Sequence, residues 1–445
     1  MSARIETRGA SACRSLVRRF LSGASGGGFA ASVRTMLTGT VLGQAASLLL
    51  APALTRLFSP DAFGYLGVYS SALTILAVVA SLGYELAIPL ARSHREFESL
   101  VGVSAVALAV TTFVVALVAL VLPDSALAAM RLRQLADYRM LIPIGFACLG
   151  GYYMLVAAAT QLGEFKSIAS TRLSQGLSGP LSQIVLGLAG AGAPGLAIGF
   201  VIGQSSGTLL LLRRVMASCP TLLSQRFLRR RIVAAAKRYV RFPVITSWSR
   251  LIDMAGSGPI LYPMLAGFYG GDVAGYLFLT ERVVMRPLLM ISTSLLQVFI
   301  GEAGRAARND PTLLMRRFKQ VVGWQFALSA GWIVAVNIVA IWAFSTLFGA
   351  RWQAAVPFLP ACGLMYLALV VVHPVSTALQ LLERHGVAAS WQCVRLVVLI
   401  GGELAAFHLG ASALDALWVA AITQAVACAG LVGLIAFFIK RIQVP

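Results

Sequence analysis

The placement of charge along this chain leaves few options for its fold. About twelve apolar stretches run through it, and nearly all the Lys and Arg residues sit in the short gaps between them. The stretches are read at about 36–56, 64–90, 99–122, 140–160, 173–190, 194–212, 242–266, 274–300, 321–347, 356–381, 386–409 and 412–439. Each can cross a bilayer, which takes roughly 20 residues of helix. Only 12% of the 445 residues are charged, where a soluble chain carries roughly 25%. No length remains for a sizeable aqueous domain. The expected fold class is an all-α integral membrane protein with about 12 transmembrane helices.

A net charge of +20 would suggest nucleic acid in a soluble protein. In a membrane chain anionic phospholipids explain it, and no nucleic-acid partner is expected. The same residues set orientation. With a cytoplasmic N-terminus, twenty-seven Lys and Arg fall in inside segments and five (Arg56, Arg131, Arg133, Arg139 and Arg351) in outside loops. This asymmetry predicts that both termini are cytoplasmic. The six Cys form no CxxC or Cys/His cluster, so no metal site, redox pair or cofactor is expected. The first residues lack the apolar core and cleavage site of a signal peptide. Residues 12–21 (ACRSLVRRFL) fit either a short basic surface helix or a disordered tail.

The longest polar connection, 213–241, carries RRR at 229–231 and KRYVR at 237–241. Six spans lie on each side of it. The expected domains are a basic cytoplasmic N-terminal tail (1–35), an N-lobe with helices 1–6 (36–212), a basic cytoplasmic linker (213–241) and a C-lobe with helices 7–12 (242–445). The lobes resemble each other at an offset of 211: Leu50, Pro52, Leu54, Asp61, Gly64 and Tyr65 match Leu261, Pro263, Leu265, Asp272, Gly275 and Tyr276. Both segments run from the end of a lobe's first helix into its second, which predicts a parallel repeat. Two such lobes around a central cavity suit alternating access.

A charge at bilayer depth is expensive and faces a cavity or a partner. The first lobe has Glu85. The second has Arg250 and Asp253, then Glu281, Arg282 and Arg286, then Gln392, Arg395 and Glu403. Two readings stand. In one, ion pairs hold helices together: Arg250 with Asp253, and Arg282 or Arg286 with Glu281. In the other, Arg250, Arg282, Arg286 and Arg395, with Gln392, line a hydrated cavity and bind an anionic headgroup, since the planar guanidinium donates two parallel hydrogen bonds to a phosphate. Glu85, Asp253, Glu281 and Glu403 are candidates for coupling or gating, with Glu85 a pair near the inner interface. Asp253, Glu281 and Glu403 are the candidate sites for a proton or a sodium ion. No GxxxxGK[ST] phosphate loop is present, so an ion gradient, the membrane potential or consumption of product must drive transport. No HExxH, GxSxG or paired-carboxylate motif appears and the outer loops are short, so an enzyme such as a glycosyl polymerase or ligase is not expected.

Several stretches resemble the polysaccharide-flippase family of the multidrug/oligosaccharidyl-lipid/polysaccharide exporter superfamily. They are LTRLFSPDAFGYLGVYSS (54–71), YELAIPLARSHREFESL (84–100), LTERVVMRPLLMISTSLLQVFIGEAGR (279–305), FGARWQAAVPFLPACG (348–363) and PVSTALQLLERHGVAASWQCVR (374–395). The matching positions include Glu85, Arg282, Pro287, Gln297, Phe299, Glu302, Arg305, Trp391, Gln392 and Arg395; Arg286 and the Arg250/Asp253 pair match no family motif. The resemblance implies a MATE-like fold in the bacterial inner membrane. It also implies movement of an undecaprenyl-pyrophosphate-linked oligosaccharide for O-antigen, capsule or exopolysaccharide synthesis. Polysaccharide polymerase or chain-length machinery would then be a partner. Export of small cationic drugs is the alternative within the superfamily.

Overall fold

The computed structural model describes residues 29–129, 136, 138–219, 225–293, 295–296, 299, 311–376, 378–381 and 384–442. The expected surface segment at 12–21 lies outside them, as do Gln297, Glu302 and Arg305. Among the described residues every regular element is helical.

The first half begins with α1 (Phe29–Leu49), which breaks at Leu50 and continues as Ala51–Leu57. It is followed by α2 (Pro60–Ala77), α3 (His94–Val121), α4 (Leu141–Gln161), α5 (Phe165–Leu188) and α6 (Gly192–Ser205), the last extended by Thr208–Ala217. A basic helix, α7 (Gln225–Arg238), joins the halves. The second half begins with α8 (Ser247–Gly256), continued after a break by Leu261–Tyr269. Then come α9 (Gly271–Thr280), α10 (Pro311–Phe348), α11 (Leu359–Val372), α12 (His385–His408) and α13 (Ala413–Ile442). The chain is a multi-pass membrane protein. Its lipid-facing surface is apolar, with Phe113 of α3 69% and Trp342 of α10 82% exposed, as expected where hydrocarbon replaces water.

Helix starts follow local chemistry. At α2 the Ser59 side chain accepts from the Ala62 amide at 3.3 Å, and Pro60 occupies the first helical position. At α3 the Ser93 hydroxyl accepts from the Glu96 amide, while Glu96 accepts from the Arg92 amide at 2.9 Å. Tyr239, just beyond α7, donates to the same Glu96 at 2.8 Å. That bond, with burial, holds its phenol above the usual range. Arg238 adds an ion pair to Glu96 at 3.0 Å, so α7 is fastened to the foot of α3.

The packing repeats between halves. The first helix packs on the fifth, the fifth on the sixth, the third on the fourth and the fourth on the sixth: α1 on α5, α5 on α6, α3 on α4, and α4 on α6. Their counterparts are α8 on α12, α12 on α13, α10 on α11, and α11 on α13. Between the lobes α2 lies against α9. There Gly64 abuts the Gly271 backbone, and Gly275 abuts the Pro60 carbonyl. The offset of 211 that aligns the two sequences relates these two contacts to each other. Each contact is thus the other's two-fold image, and each requires a missing side chain.

Eight described helices are long and apolar enough to cross a membrane. The remaining crossings, at 60–90, 165–188, 242–269 and 271–293, are interrupted or polar. The second span, expected as one stretch at 64–90, ends its α-helix at Ala77. It turns through Leu82 (φ 52°) and Gly83 (φ 74°) into a 3₁₀ segment, Tyr84–Leu90. The fifth, expected at 173–190, begins earlier, at Phe165. All four crossings contribute residues to one cavity. Irregular or polar backbone at membrane depth is tolerated where it lines a cavity or is buried in protein.

Candidate functional site

A cavity of about 370 Å³ lies between the lobes. Residues midway along α1, α2, α4, α5 and α6 form one wall, and Pro259, Tyr262, Phe278, Glu281, Arg282 and Arg286 form the other. Toward the α2–α9 glycine contact it is closed by a thick apolar cluster containing Leu54, Phe63, Leu265, Leu277 and Trp352. Phe63 meets Trp352 edge-on at 4.9 Å, and the Trp352 indole donates to the Thr55 carbonyl at 2.9 Å. The closure on the opposite, basic face is thinner. Arg250 of α8 reaches Glu85 across the lobe boundary at 2.8 Å. Gly83 approaches Ser247 so closely that a Cβ would meet its hydroxyl at 2.6 Å.

Backbone irregularity sets the charged wall. After Thr280 the chain makes a π-helical turn, Glu281–Met285. In an α-helix, residues five apart stand roughly 140° apart around the axis. The wider turn brings Arg286 back over Glu281, and the guanidinium contacts that carboxylate at 3.0 and 3.1 Å. Such turns occur mostly as single insertions, frequently at functional sites. Tyr262 also donates to Glu281. Glu281 is therefore fully engaged. Arg282, in contrast, meets no carboxylate among the described residues and donates to Ser47 of α1 at 2.6 Å. A second arginine joins it from the other lobe. Arg172 of α5 lies 5.5 Å from the Tyr152 ring centroid and lines the same cavity.

The break in α8 explains two further arginine-region charges. Its last turn ends at Gly256, where the Ser257 amide still donates to the Asp253 carbonyl at 3.0 Å and the helix end offers its carbonyls to further donors. Arg395 of α12 donates to the Asp253 carbonyl at 3.2 Å, to its carboxylate at 3.3 Å and to the Ser257 hydroxyl at 3.0 Å. Gln424 of α13 donates to the Gly256 carbonyl at 2.7 Å. A cation at a helix C-terminus is also favoured by the helix dipole. The break places Pro259 and Tyr262 in the cavity wall.

The sequence-derived candidates therefore separate. Arg282, Arg286 and Glu281 line the cavity together. Arg250, Arg395, Asp253, Gln392 and Glu403 do not. The expected Arg250–Asp253 pair is replaced by two pairs, Arg250–Glu85 and Arg395–Asp253, because buried partners on other helices are in reach. Glu403 is 0% exposed and neither carboxylate oxygen has a partner among the described residues. Sequence reading missed Arg172, counted as a loop charge, and the neutral lining residues Gln44, Gln175, Gln183 and Gln204. The clue available was the low apolarity of the fifth span. Helix packing there is by glycine: a Cβ on Gly43 would meet the Arg172 carbonyl at 2.5 Å, and one on Gly203 the Gly179 Cα at 2.7 Å. Small residues at four-residue spacing (Gly39 and Gly43, Gly199 and Gly203) let membrane helices approach closely.

A family profile described as "Polysaccharide biosynthesis protein" matches residues 53–357. The fold is similar to that of the lipid II flippase MurJ in an inward closed conformation (TM-score 0.69, 11% identity, 92% of this chain and 89% of that one). It is also similar to an inward-facing multidrug resistance MATE family transporter of the MOP superfamily (TM-score 0.62, 15% identity, 91% and 95%). A third similar structure is that of the MATE multidrug transporter DinF-BH (TM-score 0.62, 15% identity, 91% and 93%). At these identities the likeness is one of fold. No curated protein matches the sequence significantly.

Proposed function

Because the chain belongs to the polysaccharide biosynthesis protein family, we propose that it flips an undecaprenyl-pyrophosphate-linked oligosaccharide across the bacterial inner membrane by alternating access. The glycan serves O-antigen, capsule or exopolysaccharide synthesis. The observation that carries this reading is a pair of guanidiniums, Arg172 and Arg282, that line one interlobe cavity without a carboxylate partner among the described residues. Charges at membrane depth are retained for function, and a pyrophosphate is an anion that two arginines can hold from opposite sides. The basic face, with both termini, is cytoplasmic by the charge rule. Substrate enters there past the thin Glu85–Arg250 closure, and the apolar cluster opens to release it outside.

Export of cationic drugs fits less well. The cavity lining holds three arginines against one carboxylate, and Arg286 and Tyr262 already occupy that carboxylate. The coupling ion, a proton or sodium, is assigned to the C-lobe carboxylate Glu403, which is buried without a partner among the described residues. Anionic phospholipids contact α7, and a polysaccharide polymerase receives the product.

The test is the lipid-linked sugar pool of cells lacking this gene, complemented with wild type or with Arg172→Ala plus Arg282→Ala at equal membrane abundance. Wild type is expected to clear the cytoplasmic pool and the double variant to leave it. Equal clearance by both defeats the site assignment. No accumulation in the deletion defeats the flippase reading.

A further inference from the structure

We infer that the N-lobe wall of the cavity is a glycan subsite, in which Gln44, Gln204 and Tyr153 take the hydroxyls of the first sugar while the phosphates stay with the arginines; this rests on the reading of the cavity as a lipid-pyrophosphate site. The two walls differ in chemistry. Arg282, Arg286 and Glu281 make the C-lobe wall ionic. Apart from Arg172, the polar groups of the N-lobe wall are neutral: amides, hydroxyls and phenols.

Many of those neutral groups are already committed. Gln183 donates to the Leu196 carbonyl at 3.0 Å, and Gln175 to the Gln204 carbonyl at 3.1 Å. Ser70, Ser71 and Thr74 donate to carbonyls of their own helix, and Tyr152 bonds to Thr171 at 3.2 Å. Among the described residues, the side-chain amides of Gln44 and Gln204 and the hydroxyl of Tyr153 remain open to a ligand. They come from α1, α6 and α4, which surround α5. The glycine packing described above keeps these helices close and their backbones recessed, so the long amides project into the cavity.

Each open amide offers two donors and one acceptor, and the phenol offers one donor beside an aromatic face. A sugar ring presents the complement: hydroxyls that both donate and accept around its rim, and a C–H face. Neutral groups cannot outcompete arginine for phosphate, because charge-assisted bonds are roughly twice as strong as neutral ones. The same two walls therefore sort the headgroup by chemistry. The phosphates bridge Arg172 and Arg282 across the lobes, and the first sugar adds contacts to the N-lobe wall alone.

The test compares two probes on the full-length protein in nanodiscs: undecaprenyl pyrophosphate, and the same lipid carrying one N-acetylglucosamine. Wild type is expected to bind the sugar-bearing lipid about tenfold more tightly, as one to two net hydrogen bonds allow. In the combined variant Gln44→Leu, Gln204→Leu and Tyr153→Phe that ratio falls to near unity. A ratio within one sample is insensitive to the folded fraction. Equal affinity of wild type for both lipids, or an unchanged ratio in the variant, overturns the glycan subsite and leaves the pyrophosphate site standing. Binding of neither lipid by wild type overturns both.

Discussion

Asp253 and Arg395 separate a structural role from a binding role at the level of single side chains. Arg395 is 5% exposed, whereas the Asp253 side chain is 53% exposed. Removing the carboxylate leaves a buried cation with only the Asp253 carbonyl and the Ser257 hydroxyl as acceptors, a loss below the about 3–5 kcal/mol of a fully buried pair. Removing the arginine leaves a carboxylate that water can reach. Asp253→Ala is therefore expected to lower the Tm more than Arg395→Met, and adding Arg395→Met to Asp253→Ala should recover part of the loss. Thermal unfolding in detergent measures this. An Arg395→Met protein with wild-type Tm and abolished transport would instead make Arg395 a substrate ligand. Residue roles were unevenly legible in the sequence. Arg282 and Arg286 could be picked out because each breaks an apolar stretch. Arg172 could not, because it lies two turns inside a helix whose first turns read as loop. The partners of Arg250 and Arg395 come from helices far away in sequence, which spacing along one helix does not reveal.

At the scale of elements, the four crossings that depart from a plain apolar helix all contribute to the cavity wall, beside α1, α4 and α6. The apolar stretches announced the helices that meet lipid on one face and apolar side chains on the other, since neither surrounding accepts charge. The break in α8 and the π turn after α9 were not legible, because each depends on partners elsewhere: Arg395 and Gln424 for one, and the Glu281–Arg286–Tyr262 cluster for the other. The repeat at offset 211 was legible, and its two glycines carry a prediction. Gly64 and Gly275 let α2 and α9 touch, and a side chain at either position prevents that approach. Gly275→Leu is expected to hold the apolar closure open. A cysteine placed at Phe63 in a background without other cysteines should then react with a membrane-impermeant maleimide added outside, and it should be protected when Gly275 is retained. Equal protection in both would show that the contact does not close the cavity.

At the scale of the whole molecule, the two closures differ in kind. The one beside the α2–α9 contact buries large aromatic and aliphatic side chains. The closure on the basic face centres on a single ion pair between Arg250, 39% exposed, and Glu85, 9% exposed, and with one member in reach of water it costs less to separate than a fully buried pair. The closure on the basic face is thus the easier to open. Glu85→Gln and Arg250→Gln are each expected to raise access to the cavity from the basic face, read by labelling a cysteine at Ser47. The exchange Glu85→Arg with Arg250→Glu should restore protection. Failure of the exchange to restore it would assign the closure to Gly83 and Ser247 instead.

The most direct test of the central claim is translocation in sealed proteoliposomes. The substrate is N-acetylglucosaminyl-pyrophosphoryl-undecaprenol, and its sugar is detected by an impermeant galactosyltransferase outside. Wild type is expected to expose the inner-leaflet lipid, and Arg172→Glu plus Arg282→Glu to slow that exposure at least tenfold, since each charge-assisted bond contributes roughly 1.5–3 kcal/mol. Translocation at the wild-type rate by the charge-reversed protein would contradict recognition of the pyrophosphate by this cavity.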